Sequence, residues 1–166
     1  MTWAALTSIP VGVIVERRKA HSPWADDLYR AVAVLHGVPA TAPGTQITSE
    51  QDVITFYAGD AVIALHPTDT TGYRDNLASG SPLLWVVLRS RQSGLNLEFV
   101  TADPAEGEAL TGSGNDLVES VPMPSSIRQI VEGFIAEHHV EQPFYKRERS
   151  RSGPSVRRAV GAKDDT

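Results

Sequence analysis

The sequence predicts an α+β fold, a mainly antiparallel sheet of about six strands with helices packed on one side and a disordered basic C-terminal tail. Three observations predict it. Runs of β-branched and aromatic residues follow one another across short polar breaks, as adjacent antiparallel strands require. Capped helices are interspersed without a sustained βαβ alternation, so a parallel sheet is not indicated. Beyond residue 145 apolar periodicity ends, leaving a segment too poor in burial to offset its ordering entropy. The domain division that follows is one α+β domain over residues 1–145 and a tail over 146–166.

Pro10 to Arg18 places Val11, Val13 and Val15 on one face and reads as the first strand. His21-Ser-Pro-Trp24 interrupts the pattern, and Leu28 to Leu35 resumes it as a second strand. Residues 37–51, with Pro39, Pro43 and Gly44, suit an exposed loop. Asp52–Tyr57 and Ala61–Leu65 read as a hairpin turned at Ala58-Gly59-Asp60. Thr68 or Asp69 is placed to cap a short helix reaching about Ser79, which Gly80 stops. Leu83–Arg89 and Leu95–Thr101 form another hairpin, the first strand apolar on both faces and therefore central. The second alternates Leu95, Leu97 and Phe99 against Asn96 and Glu98. Asp103-Pro-Ala-Glu106 starts a second helix that Gly112 would end, and a brief strand follows near Leu117–Val121. Ser126-Ile-Arg-Gln129 reads as a capping box for a helix to about His138, with Ile127, Ile130, Val131, Phe134 and Ile135 on its apolar stripe.

Composition narrows the chemistry. No cysteine occurs, which excludes disulfides, thiolate zinc sites, cysteine-ligated clusters and cysteine nucleophiles. The first ten residues lack the charged and apolar regions of a secretory signal, and no apolar run approaches the length needed to span a bilayer. A cytoplasmic location is the resulting expectation. The net charge of −5 hides an asymmetry: residues 1–145 carry −9 and residues 146–166 carry +4. An acidic body argues against a nucleic-acid-binding fold and leaves the tail as the electrostatic contact.

Several clusters admit a chemical role beside a structural one. Gly112-Ser-Gly-Asn lacks the lysine and the strand-to-helix context of a phosphate loop, so it reads as a helix stop. His138 and His139 are adjacent on a helix and point about 100° apart, which suits a helix C-terminus better than a shared metal, and no metal site or cofactor is expected. Arg17 and Arg18, near Trp24, offer guanidinium forks for a carboxylate or phosphate. The densest polar cluster follows His66 and includes Tyr73, Arg74 and Asn76. Spacing of three and four places Asp69 near Tyr73 and Thr70 near Arg74, so local bonds account for much of it. In the tail, Lys146, Arg147, Arg149, Arg151, Arg157 and Arg158 are the candidate partner contacts, against a merely solubilising role.

Ile9–Arg18, Phe56–Gly59, Tyr73–Leu77, Val121–Pro124 and His138–Phe144 together resemble an uncharacterised proteobacterial domain family whose members are often encoded beside formate dehydrogenase genes. The resemblance implies an accessory role around a molybdenum- or tungsten-dependent formate dehydrogenase, in assembly, cofactor delivery or regulation. It supplies no catalytic residues. The leading expectation is therefore a non-enzymatic protein that binds a partner polypeptide, such as a formate dehydrogenase subunit or its maturation machinery. The alternative is a protein or enzyme that takes a small anionic ligand through Arg17, Arg18, His66, Tyr73 and Arg74.

Overall fold

Strand β1 (Thr7–Arg18) organises the molecule, because it lies inside its sheet and pairs along both edges over most of its length. Ile9, Val11, Val13 and Val15 alternate onto one face and are buried there. The computed structural model describes residues 7–91, 94–111, 114 and 116–140. Within them the fold is α+β, with β2 (Leu28–His36), β3 (Gln46–Glu50), β4 (Val53–Leu65), α1 (Thr70–Ala78), β5 (Leu83–Arg91), β6 (Gly94–Thr101), α2 (Pro104–Leu110), β7 (Asp116–Pro122) and α3 (Ser125–His138). The predicted tail lies outside the described residues.

Among the described residues the strands number seven and form two antiparallel sheets, ordered β2-β1-β4-β3 and β6-β5-β7. β4 runs beside β6 and β2 beside β7, so the sheets meet along both flanks. Their facing residues share one core with Tyr73 of α1 and Ile127, Val131 and Phe134 of α3. α1 contacts both α2 and α3, so the three helices are contiguous. As its two apolar faces predict, β5 is the central strand of its sheet.

The predicted hairpin over residues 52–65 is instead a single thirteen-residue strand. β1 pairs with both halves of it, and a bulge absorbs the break: Val13 faces Gly59 while Ile14 faces Tyr57, leaving Ala58 as the extra residue. Gly59, at φ +142°, supplies the backbone conformation that the bulge needs. Part of the predicted loop over 37–51 is β3, which pairs with the start of β4. A second bulge corrects β6. Val87 pairs with Phe99 but Leu88 with Leu97, so Phe99 leaves the face of Leu95 and Leu97, and Val100 joins the core instead.

Helix starts divide similarly. Asp103 caps α2 as its sequence predicts, accepting from the Ala105 amide at 3.0 Å. Gly80 follows α1 with φ +83°, as expected of its stop. No side-chain cap bond forms at Asp69, because a 3-10 turn over Pro67–Asp69 leads directly into α1. The Ser126 capping box does not form either. Pro124 is the N-cap of α3, and the Ser126 hydroxyl lies 2.8 Å from Nδ1 of His36 on β2, a tertiary partner that competes with the helix. Gly112 lies outside the described residues.

α2 crosses the outer face of β5 so closely that a Cβ on Gly107 would lie 2.6 Å from Cδ1 and 2.8 Å from Cδ2 of Trp85. Gly133 of α3 has nothing within 4 Å of the same position. Alanine normally favours a helix over glycine by about 1 kcal/mol. Gly133→Ala should therefore raise the unfolding free energy by about 0.5–1 kcal/mol, whereas Gly107→Ala should lower it by about 1–3 kcal/mol through overpacking. Urea unfolding of the two variants measures both signs, and equal effects would show that α2 does not depend on contact with the indole.

Candidate binding surfaces

The first turn of α1 gathers the polar cluster around His66. Tyr73 sits one turn into the helix and is buried, with its ring edge-on to Phe134 at a centroid distance of 6.2 Å. Its hydroxyl oxygen accepts a hydrogen bond from the His66 amide at 3.0 Å. Burial pushes the phenol up to about 12, helped by the charges of Asp69, Asp103 and Glu106 and opposed by the amide. At neutral pH Tyr73 is thus a neutral core phenol that joins α1 to the end of β4. Asn76 is buried as well, donating to the Leu83 carbonyl at 2.8 Å and the Ala102 carbonyl at 3.0 Å while accepting from the Leu83 amide at 2.9 Å. Neither side chain is presented to a ligand.

Arg74 and Thr70 do meet, through a residue at the end of α3. Nη1 of Arg74 lies 3.2 Å from Nε2 of His139, and Nδ1 of the same ring lies 3.0 Å from the Thr70 hydroxyl. A guanidinium only donates, so Nε2 accepts and Nδ1 carries the proton. The Thr70 hydroxyl then donates onward to the Pro67 carbonyl at 3.3 Å. His138 turns away and packs on Phe134 at 4.5 Å. The divergence expected of adjacent helical histidines places one ring on the core edge and the other on α1. Thr68, Thr71, Arg74 and Val140 help to line the open cleft here, of about 850 Å³. Among the described residues no group of three or more His, Asp or Glu is disposed to hold a metal ion.

Arg17 and Arg18 lie at the opposite end of the molecule. β1 pairs Thr7 with Leu65, next to His66, but Arg17 with Ile54. The ten intervening positions span roughly 30 Å at the usual strand rise. The sequence-predicted anion site is therefore divided, and its two halves cannot grip one small ligand. Each arginine has a local carboxylate: Arg17 lies 3.9 Å from Asp27, and Arg18 lies 3.5 Å from Glu16 on its own strand face. Trp24 is 94% exposed on the loop beside them.

Residues 10–148 match the family model described as a protein of unknown function, DUF3305. The chain belongs to the DUF3305 family. That match takes in nearly all of the described fold, and the description gives no role to carry onto its residues. No curated protein and no solved structure matches the chain.

In this DUF3305 chain, two further carboxylates tie elements together. Arg89 grips Asp116 of β7 through Nε at 2.6 Å and Nη2 at 3.0 Å, and this guanidinium holds the Asp116 carboxyl below the usual carboxylate range. Burial pushes the Asp103 carboxyl up, against the pull of the Ala105 amide it caps. Sequence reading overlooked the apolar surface on the outer face of the four-stranded sheet. Val62 pairs with Pro10, Leu35 pairs with Gly12, and the Gly37 amide bonds the Pro10 carbonyl at 2.8 Å, bringing Val38 alongside. Leu35, Val38 and Val62 are all exposed. Only Val62, next to buried Ile63, and Leu35, next to buried Val34, carried a local signal of alternation, and the pairing of β2 and β4 with β1 was needed to unite them. Lys146, Arg147, Arg149, Arg151, Arg157 and Arg158 lie outside the described residues. No helix among the described residues is long and apolar enough to cross a membrane.

Proposed function

We propose that the protein is a non-enzymatic accessory protein that binds a partner polypeptide, with a formate dehydrogenase subunit or its maturation machinery as the partner. The observation that carries this reading is the exposure of Leu35, Val38 and Val62, which strand pairing and the Gly37 amide bond gather near Pro10, since exposed apolar side chains gathered on one side of a fold mark association surfaces. The division of the predicted anion site supports it, because among the described residues neither half forms an enclosed pocket of the kind that buries a small molecule. The basic segment from Lys146 to Arg158 adds a salt-sensitive contact to an acidic surface of the same partner. A second reading, a small anion held at Arg74, draws on the open cleft there.

Co-expression of the full chain with formate dehydrogenase subunits and maturation factors tests the proposal. Leu35→Asp and Val62→Asp should each reduce recovery of the partner about tenfold while leaving the melting temperature within a few degrees. Removal of residues 150–166 should weaken recovery only at low ionic strength. Undiminished recovery with both aspartate variants would remove the sheet face from recognition. No recovery by the unaltered chain, together with calorimetric binding of inorganic phosphate that Arg74→Gln abolishes, would favour the small-anion reading.

A further inference from the structure

The loop between β1 and β2 is built to hold an indole in solvent. Its base is fixed by the Lys19 amide donating to the Asp52 carbonyl at 2.8 Å and by the Ala20 amide donating to the Asp27 carboxylate at 3.1 Å. Its tip is a turn in which the Ala25 amide reaches the Ser22 carbonyl at 3.2 Å and the Trp24 amide reaches the Ser22 hydroxyl at 3.3 Å. The result presents Trp24 at 94% exposure and, at the start of β2, Leu28 at 69%. The turn fixes the backbone at Trp24, and an indole has only two side-chain torsions to order when a partner covers it, which suits an interface anchor.

Beside this anchor an open cleft of about 700 Å³ separates the start of β2 from the β5–β6 hairpin. Leu28, Leu95 and Leu117 supply its apolar wall. Three charged side chains line it: Asp26, Asp27 and Arg91. Asp27 holds the Ala20 amide and faces Arg17, and Arg91 reaches Glu98 at 3.2 Å. Asp26 is the one left without a hydrogen bond or ion pair among the described residues. The cleft therefore offers apolar contacts and one uncommitted carboxylate, and Trp24 stands on the loop two residues before that carboxylate.

We propose that Trp24, Asp26 and Leu28 form a docking site for an extended polypeptide segment that carries arginine next to an apolar residue. The complement is chemical: a guanidinium stacks on an indole and forms two parallel bonds to a carboxylate, and it is weakly enough hydrated to do both. The neighbouring apolar side chain of the segment meets Leu28. This assignment rests on the partner-binding reading but names a different surface, at the opposite end of β1 from Val62.

The test uses the full chain, isotopically labelled, and the peptide acetyl-Leu-Arg-Leu-Arg-amide. The Trp24 indole resonance, assigned by its loss in Trp24→Phe, should shift saturably on titration. Replacing arginine by citrulline, which keeps shape and removes charge, should weaken the apparent affinity at least fivefold, as should Asp26→Asn in the protein. Trp24→Ala should abolish the shifts of neighbouring amides. Binding of the citrulline peptide with equal affinity, or an unmoved indole resonance, would overturn the proposal. Because this readout needs neither formate dehydrogenase nor the sheet face, its failure is distinguishable from a failure of partner recovery.

Discussion

Replacing Phe134 with alanine should lower the free energy of unfolding by about 3–5 kcal/mol, the usual cost of emptying a buried phenylalanine site. Phe134 is 4% exposed and stands where α1 and α3 meet the shared core: its ring packs edge-to-face with Tyr73 of α1, carries His138 of its own helix, and closes the core beside Val131. The cavity cannot be filled by a small shift of α3, because Ile127 and Val131 on the same stripe are already fully buried. Tyr73 is also tied to the His66 amide, so it is not free to tilt into the gap. Phe134→Leu, which retains most of the volume, should cost less than half as much. Chemical denaturation with an unchanged slope separates this from a change in the denatured state. An alanine variant as stable as the parent would mean that the α3 stripe is an association surface rather than core.

The parts of the fold legible in the sequence are those whose cause is local. Asp103-Pro104 announces α2 because the capping acceptor and the fixed proline φ act within one turn. The alternating valines of β1 and the stripe of α3 likewise state which side faces inward. What escaped was set by distant partners. Whether Gly59 turns the chain back or bulges it depends on the long strand beside it, since the same residue serves either geometry. Ser126 is a good cap by composition, but His36, ninety residues earlier, takes its hydroxyl. The separation of the candidate site residues was illegible for the same reason at larger scale. Arg17 and Arg74 are both guanidinium forks, and only the register of β1 against β4 shows that they occupy opposite ends. Exposure is equally illegible: Trp24 and Trp85 look alike as residue types, yet one is held in solvent and the other lies beneath Gly107.

Asn76 shows how a buried clamp imitates a binding residue, and its substitution should separate the two roles. Its amide satisfies the Leu83 amide and carbonyl and the Ala102 carbonyl, so one side chain on α1 ties the entry of β5 to the exit of β6. Asn76→Ala would leave those three backbone groups without that partner, and at roughly 1–3 kcal/mol for each buried polar group left unpaired the loss should total about 3–5 kcal/mol, since water entering the gap recovers part of it. Asn76→Asp is the sharper variant. It keeps the volume and the acceptor for the Leu83 amide but turns an acceptor toward two carbonyl oxygens in place of two donors. At neutral pH it should destabilise at least as much as alanine. The aspartate variant should recover relative to the parent protein as the pH falls, because a protonated carboxyl regains one donor and loses its charge. The sign follows from linkage: a folded-state carboxyl that prefers its proton is stabilised below its raised pKa and penalised above it. Paired urea titrations at several pH values measure the difference between the two chains. A wild-type melting curve for Asn76→Asp at neutral pH would show that the amide donors contribute nothing, and Asn76 would then return to the candidates for ligand contact.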